Sequence, residues 1–217
     1  MTTTPNGAGS ETGPAFVVPG PIPDDTGLWL IRHGETEWSR SGQHTGRTDL
    51  PLTPDGERQA IALKAMLADV QPVLVLSSPR RRALHTAELA GLRVDAVDPD
   101  LAEWDYGEYE GLTTAQIRER VPGWSLWTHP VPGGETPEQV RVRADRVLHR
   151  ALPHLAEGTV VFVAHGHISR VLGARWIGLD VLDGARLAPG TAAPSVLGGE
   201  HGQAVIERWN LPNPVAQ

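Results

Sequence analysis

Residues 28 to 36, Leu-Trp-Leu-Ile-Arg-His-Gly-Glu-Thr, join a four-residue apolar run to an arginine, a histidine and a glycine. An apolar run of this length between turn residues predicts a strand buried in the middle of a sheet. In open α/β sheets ligands sit beyond the carboxyl ends of such strands, so Arg32 and His33 are placed where chemistry is expected. The same pattern recurs where Thr159-Val160-Val161-Phe162-Val163-Ala164 runs into His165-Gly166-His167. A third run, Val73-Leu74-Val75-Leu76, passes through Ser77-Ser78-Pro79 into Arg80-Arg81-Arg82-Ala83. If the strands are parallel neighbours, all three ends meet at one edge.

Outward from these runs, strand and helix patterns alternate, which predicts a mainly parallel sheet with helices on both faces, a three-layer α/β fold. Thr53 is the expected N-cap of a helix beginning at Pro54 and running to about Ala68. A second helix is expected over about Pro79 to Ala90, then a short strand near Val94 to Val97. A long helix should span about Thr136 to Leu155, with Val140, Val147, Leu148 and Ala151 on one face, arginines on the other, and Pro153 kinking or ending it. Ile168 to Ile177 reads as a further helix, and Pro194 to Asn210 as an antiparallel hairpin around Gly198 to Gly202. Residues 1–26 are rich in Thr, Pro, Gly and Ala and are expected to be a disordered extension, residues 27–210 one domain, and residues 211–217 a flexible tail.

With 217 residues the chain is long enough for one well-buried domain and needs no second. A net charge of −7 and a pI near 5.7 argue against nucleic acid or an anionic membrane as partner. The absence of cysteine removes disulfides, thiolate nucleophiles and thiolate metal sites together. No apolar stretch is long enough to span a membrane and no secretory pattern stands at the N-terminus, so a cytoplasmic protein is expected. Its oligomeric state is left open.

Leu30-Ile31-Arg32-His33-Gly34-Glu35-Thr36, Ser77-Ser78-Pro79 with Arg82-Ala83 and Thr86-Ala87, the segment Leu101 to Gly111 containing Glu103, and Val163-Ala164-His165-Gly166 resemble, in order, the motifs of the histidine phosphatase superfamily. The superfamily includes cofactor-dependent phosphoglycerate mutases and many small phosphatases, and the resemblance spans roughly residues 28 to 209. A lone Arg-His-Gly is weak evidence, whereas four motifs in order are strong.

The residue types suit phosphoryl transfer. A phosphate monoester spreads negative charge over its oxygens and needs fixed cations around phosphorus. Arg32 and Arg82 are expected to supply bidentate guanidiniums, and His165, if protonated, a third donor. A neutral imidazole can attack phosphorus without a metal, and His33 is the expected nucleophile, giving a phosphohistidine. Amides near Gly34 and Gly166 are expected to complete the cradle. The resemblance alone selects Glu103 as the acid and base, since Asp105, Glu108 and Glu110 lie close by. It also implies Ser39, Thr45, Gly46, Gly166 and His167 as substrate contacts. No cofactor and no metal are expected.

Weighed against this, His165 and His167 could be a metal pair with His44 or Asp49, although converging arginines would repel the ion. Arg80 and Arg81 read as solvated, while Arg82 at a helix start calls for a compensating anion, which a phosphate would supply. Trp38, Trp104, Trp124 and Trp127 are balanced between core and pocket wall. The segment Gly111 to Gly133 is short and holds no lysine, so the chain resembles the phosphatase branch, acid-phosphatase and sedoheptulose-bisphosphatase-like members above all. The expected function is hydrolysis of small, sugar-like phosphates. The alternatives are a phosphoglycerate mutase and a phosphate-binding regulatory module without catalysis.

Overall fold

The computed structural model describes residues 27–215; the expected disordered extension, residues 1–26, lies outside the described residues. The elements are β1 (Leu28–Arg32), α1 (Glu37–Ser41), α2 (Pro54–Met66), β2 (Pro72–Ser77), α3 (Arg81–Leu89), β3 (Ala96–Val97), α4 (Thr114–Arg120), α5 (Pro137–Leu155), β4 (Thr159–Ala164), α6 (Gly166–Trp176), β5 (Pro194–Glu200) and β6 (Gln203–Arg208). They form a six-stranded sheet in the order β3-β2-β4-β1-β5-β6. The pairings β3-β2, β2-β4 and β4-β1 are parallel, and β5 and β6 close one edge antiparallel.

This order explains why three sequence-distant motifs meet. Arg32 pairs with Ala164, and Ser77 with Val163, so β1, β4 and β2 end level with one another. The chain beyond them is tied across the same edge: the His33 amide donates to Ala164 O at 3.0 Å and the Ser78 amide to Val163 O at 2.9 Å.

Side-chain alternation along the strands divides the core into two layers. Leu28, Leu30, Leu76, Val160, Phe162 and Ala164 face a layer that holds Val140, Val147 and Leu148 of α5 and Val171 and Leu172 of α6. Ile31, Val75, Val161 and Val163 face the opposite layer, with Leu63 of α2 and Ala83 and Ala87 of α3. Central strands apolar on both faces are what a sheet covered by helices requires. Each large apolar side chain so buried contributes about 1.5–3 kcal/mol.

Local signals set the boundaries. Thr53 caps α2 by accepting from the Gly56 amide, with Pro54 next in line. Thr136 and Gln139 form a capping box on α5. Pro153 lies inside α5, which ends two residues later at Leu155. The β5-β6 turn places His201 and Gly202 at φ 50° and 77°, the left-handed pair that a two-residue hairpin loop needs.

Three expectations are corrected. Short α1 and α4 were not foreseen, and each is held by its own capping box, Thr36 with Ser39 and Thr113 with Gln116. The arginines of α5 do not all face solvent: Arg143 is buried and donates to Asp100 O, Ala102 O and the Glu135 carboxylate. Within the expected flexible tail the described residues are anchored at Asn213, which is buried and donates from its side-chain amide to Gln59 O and Ala192 O, both at 2.9 Å.

Candidate active site

His33 leaves the end of β1 with its Nδ1 2.7 Å from Gly34 O. A carbonyl can only accept, so Nδ1 carries the proton and Nε2 keeps a free lone pair. Burial first, then the Arg82 and Arg32 guanidiniums, hold the imidazole well below the usual histidine range. At neutral pH it is therefore an uncharged base whose reactive nitrogen is fixed by a backbone contact.

Arg32 uses one terminal nitrogen on Pro189 O at 2.9 Å, while its Nε is buried without a partner. A Cβ added to Gly166 would sit 3.4 Å from that Nε, so glycine there lets the guanidinium edge lie open beside the start of α6. Arg32, His33, Glu103, Gly166 and His167 line one small pocket of about 180 Å³, together with Ser39, Thr45 and others from the 42–45 loop.

Arg82 and His165 lie in the layer behind. Both are fully buried, and the Arg82 Nε donates to His165 Nδ1 at 3.1 Å. That bond makes Nδ1 the acceptor, so Nε2 bears the proton and faces Ser78 Oγ at 2.6 Å. Burial and then Arg82 hold this imidazole well below the usual range. His165 is thus neutral, whereas its expected part as a third donor is conditional on protonation. Its ring centre stands 5.1 Å from that of His33. The other Arg82 donors reach Thr48 O, Thr45 O and Gly46 O, so the guanidinium clamps the loop of residues 45–48.

Of the four neighbouring carboxylates, Glu103 is the one that lines the pocket. Its Oε1 accepts from the Trp104 and Ile168 amides and its Oε2 from the His167 amide, each at 2.9 Å. The carboxylate therefore sits on the N-terminus of α6, where the helix dipole favours negative charge. Glu110 instead accepts from the Gly46 and Thr48 amides, and Asp105 caps the Gly107 amide and pairs with Arg47.

Several of the expected contact groups also have partners within the protein. The Gly34 amide donates to Thr86 Oγ1 at 3.0 Å, and a Cβ there would meet Gly56 O at 2.4 Å, so this glycine serves a close approach to α2. The Gly46 amide is taken by Glu110, and the Ser39 hydroxyl is occupied in capping α1. The compensating anion at the start of α3 is Asp49, which accepts from the Arg81 amide at 2.9 Å. Trp104, Trp124 and Trp127 are buried and do not line the pocket. His165 and His167 turn to different partners, since His167 Nδ1 lies 2.6 Å from the Tyr106 hydroxyl. That divergence does not suit chelation of one ion.

The sequence reading missed Arg170, Tyr106 and Arg143. Arg170 and Tyr106 line the pocket beside His167. Arg143 clamps the Asp100 and Ala102 carbonyls just ahead of Glu103. An apolar helix pattern gives no sign that an arginine turns inward, although Tyr106 stood within the Glu103 motif. His44 also lines the pocket, and burial brings it down to about 4. A larger cavity of about 880 Å³ lies beyond Trp104 and Trp127, but its ionisable lining is mainly Glu135, Glu138, Asp180 and Asp183, unsuited to a phosphate.

A strand-end imidazole with a free nitrogen, guanidiniums around it and a carboxylate at reach define a phosphoryl-transfer enzyme. The chain belongs to the histidine phosphatase superfamily, branch 1, whose family model matches residues 28–212. It is 48% identical over 194 residues to an acid phosphatase of Mycobacterium tuberculosis, covering 87% of this chain and 96% of that one. It is 38% identical over 186 residues to a sedoheptulose 1,7-bisphosphatase of Saccharomyces cerevisiae, covering 70% and 68%. A solved structure of a Mycobacterium tuberculosis open reading frame superposes with a TM-score of 0.84 at 47% identity, covering 87% of this chain and 99% of that one. The protein is accordingly a phosphatase.

Proposed function

We propose that the protein hydrolyses phosphate monoesters of small polar alcohols through a phosphohistidine on His33, without a metal. One observation carries this reading: the Nδ1 contact with Gly34 O leaves His33 Nε2 unprotonated in a pocket that holds the open edge of Arg32. His33 Nε2 forms a bond to phosphorus as the ester P–O bond breaks, and Glu103 gives its proton to the leaving oxygen. Oε2, with a single amide donor, has the lone pair available for that proton. Water then attacks phosphorus, Glu103 takes its proton, the P–N bond breaks, and phosphate leaves with His33 restored. Arg32, and Arg82 through its hold on His165 and the loop, fix the charge and geometry around phosphorus.

The phosphatase reading is favoured over a mutase because no residue of 111–133 lines the pocket, so that segment supplies no cations to hold a second phosphorylated molecule. A sugar-like phosphate fits the polar lining and follows the named substrate of the yeast relative. A cytoplasmic setting with a small metabolite as partner is part of the proposal, and the net charge of −7 argues against nucleic acid or an anionic membrane in its place. No described helix is long and apolar enough to cross a membrane.

Rapid quenching with phosphorus-labelled substrate tests the mechanism. An acid-labile, base-stable adduct is expected, absent in His33→Ala, with turnover unaffected by exhaustive chelation. Label on a serine, or strict dependence on one divalent ion, would refute it.

A further inference from the structure

Glu103 sits in a stretch with no regular structure of its own, since residues 102–106 belong to no helix or strand. Its carboxylate must nevertheless meet the leaving oxygen to within a fraction of an ångström, because a proton passes only over a short, aligned contact. Two of the three amides that hold the carboxylate come from α6, and the third from Trp104 in the same irregular stretch. Something else has to fix the backbone that carries Glu103.

That support comes from α5 and the turn before it. Buried Arg143 donates from Nη1 to Asp100 O at 2.8 Å and to Ala102 O at 2.6 Å. Its Nε and Nη2 donate to the two carboxylate oxygens of Glu135, at 2.8 and 3.0 Å. Glu135 in turn accepts from the Asp105 amide on Oε2 at 2.9 Å and from the Trp104 indole on its backbone oxygen at 3.0 Å, while its own amide donates to Asp105 O at 3.0 Å. The pair thus holds the chain ahead of Glu103 through Arg143 and the chain behind it through Glu135. Neither residue lines the active pocket. A bidentate guanidinium–carboxylate contact is geometrically exacting, and away from water it cannot loosen cheaply. Arg146 and Arg150 also reach this stretch, but only at the Asp98 and Asp100 side chains and from exposed positions, where ion pairs restrain little.

We propose that the Arg143–Glu135 pair positions the acid–base group: it sets the backbone on either side of Glu103, and so the place of the carboxyl proton against the leaving oxygen, without touching substrate. The proposal rests on the role given to Glu103 above.

Leaving-group dependence tests it in the full chain. Fructose 6-phosphate releases an alkoxide that needs the proton, whereas 4-nitrophenyl phosphate releases a phenolate that does not. Arg143→Lys keeps a charge opposite Glu135 but cannot span both carbonyls, and should lower kcat for fructose 6-phosphate by roughly tenfold or more with KM little changed. Its burst of 4-nitrophenolate on rapid mixing should keep the wild-type rate. In a Glu103→Gln background the same substitution should cost nothing further on the sugar phosphate, because no proton is left to place. Arg146→Gln removes only an exposed pair and should leave both rates unchanged. Glu135→Gln breaks the buried pair from the other side and should repeat the selective loss, which carries the test should Arg143→Lys not fold. No loss, equal loss on both substrates, a loss that adds in full to that of Glu103→Gln, an equal effect from Arg146→Gln, or failure of both pair variants to fold would each overturn the proposal. A Glu103→Gln enzyme without any leaving-group selectivity would instead sink the acid–base reading on which it rests.

Discussion

At Arg82 charge and geometry separate. Its donors are spread over His165 Nδ1, Thr48 O, Thr45 O and Gly46 O, so it fixes a histidine tautomer and a loop at once. A lysine keeps the charge but cannot span those acceptors. Arg82→Lys should lower kcat/KM by roughly a hundredfold through misplacement of the site, and stability by about 1–3 kcal/mol through orphaned carbonyls. Exposed Arg81 contributes its backbone amide to Asp49, so Arg81→Lys should be nearly silent in both assays. Equal harm from the two substitutions would place the clamp elsewhere. Glu103 makes a different demand, since it must give a proton in one half-reaction and take one in the other. Glu103→Gln should cripple hydrolysis of a sugar phosphate far more than that of an activated aryl phosphate, whose phenolate leaves without a proton. With the aryl ester the variant should accumulate phosphoenzyme, visible on quenching. Equal loss on both substrates with no phosphoenzyme would move the acid-base role to another group.

At the scale of elements, the parts of the site carried by strand ends were legible and the parts carried by helix faces were not. β1, β2 and β4 announce themselves because an apolar run that stops at a charged residue has one physical reading in a covered sheet. Arg170 and Arg143 gave no such signal, since inward and outward arginines look alike on an amphipathic helix whose partners are unknown. Helices as short as Glu37–Ser41 and Thr114–Arg120 complete too few turns for periodicity to show. The anchor at Asn213 went unread for a related reason: two prolines and few apolar residues suggest a tail, whereas one buried amide ties this stretch down. Asn213 bridges Gln59 O and Ala192 O, while the Ala192 amide donates to Arg32 O at 3.0 Å and Gln59 Oε1 accepts from the Glu35 amide at 3.0 Å. It therefore joins the two segments that flank Arg32-His33-Gly34-Glu35. Asn213→Ala should cost about 1–3 kcal/mol in denaturant unfolding and lower kcat, with Asn213→Asp no better because a carboxylate cannot donate to either carbonyl. A variant with wild-type kcat would show that this tie is structural alone.

At the scale of the whole molecule, the site imposes a pH dependence on folding. His33, His44, His165 and His167 all lie below their usual range, with burial the first cause in each. In the unfolded chain these imidazoles take protons as pH falls through about 6.5, while in the fold they stay neutral. The unfolded state then binds more protons, so stability rises with pH, is fully present above about 6.5, and is lost progressively below it. Each histidine contributes up to about 1.4 kcal/mol per pH unit in that window. For His44, which titrates in the fold at about 4, the loss between pH 6.5 and 4 sums to about 3 kcal/mol. Asp100 adds to the same trend only at lower pH, since its partners Arg146 and Arg150 outweigh desolvation and depress it below the usual carboxylate range. Urea midpoints measured from pH 8 to 5 should therefore be flat at first and then fall steeply below about 6.5. His44→Gln should flatten that fall, because one proton uptake on unfolding is removed. A midpoint that is constant or rising toward pH 5 would mean that these histidines are already charged in the fold, and a cationic His33 could not serve as the nucleophile.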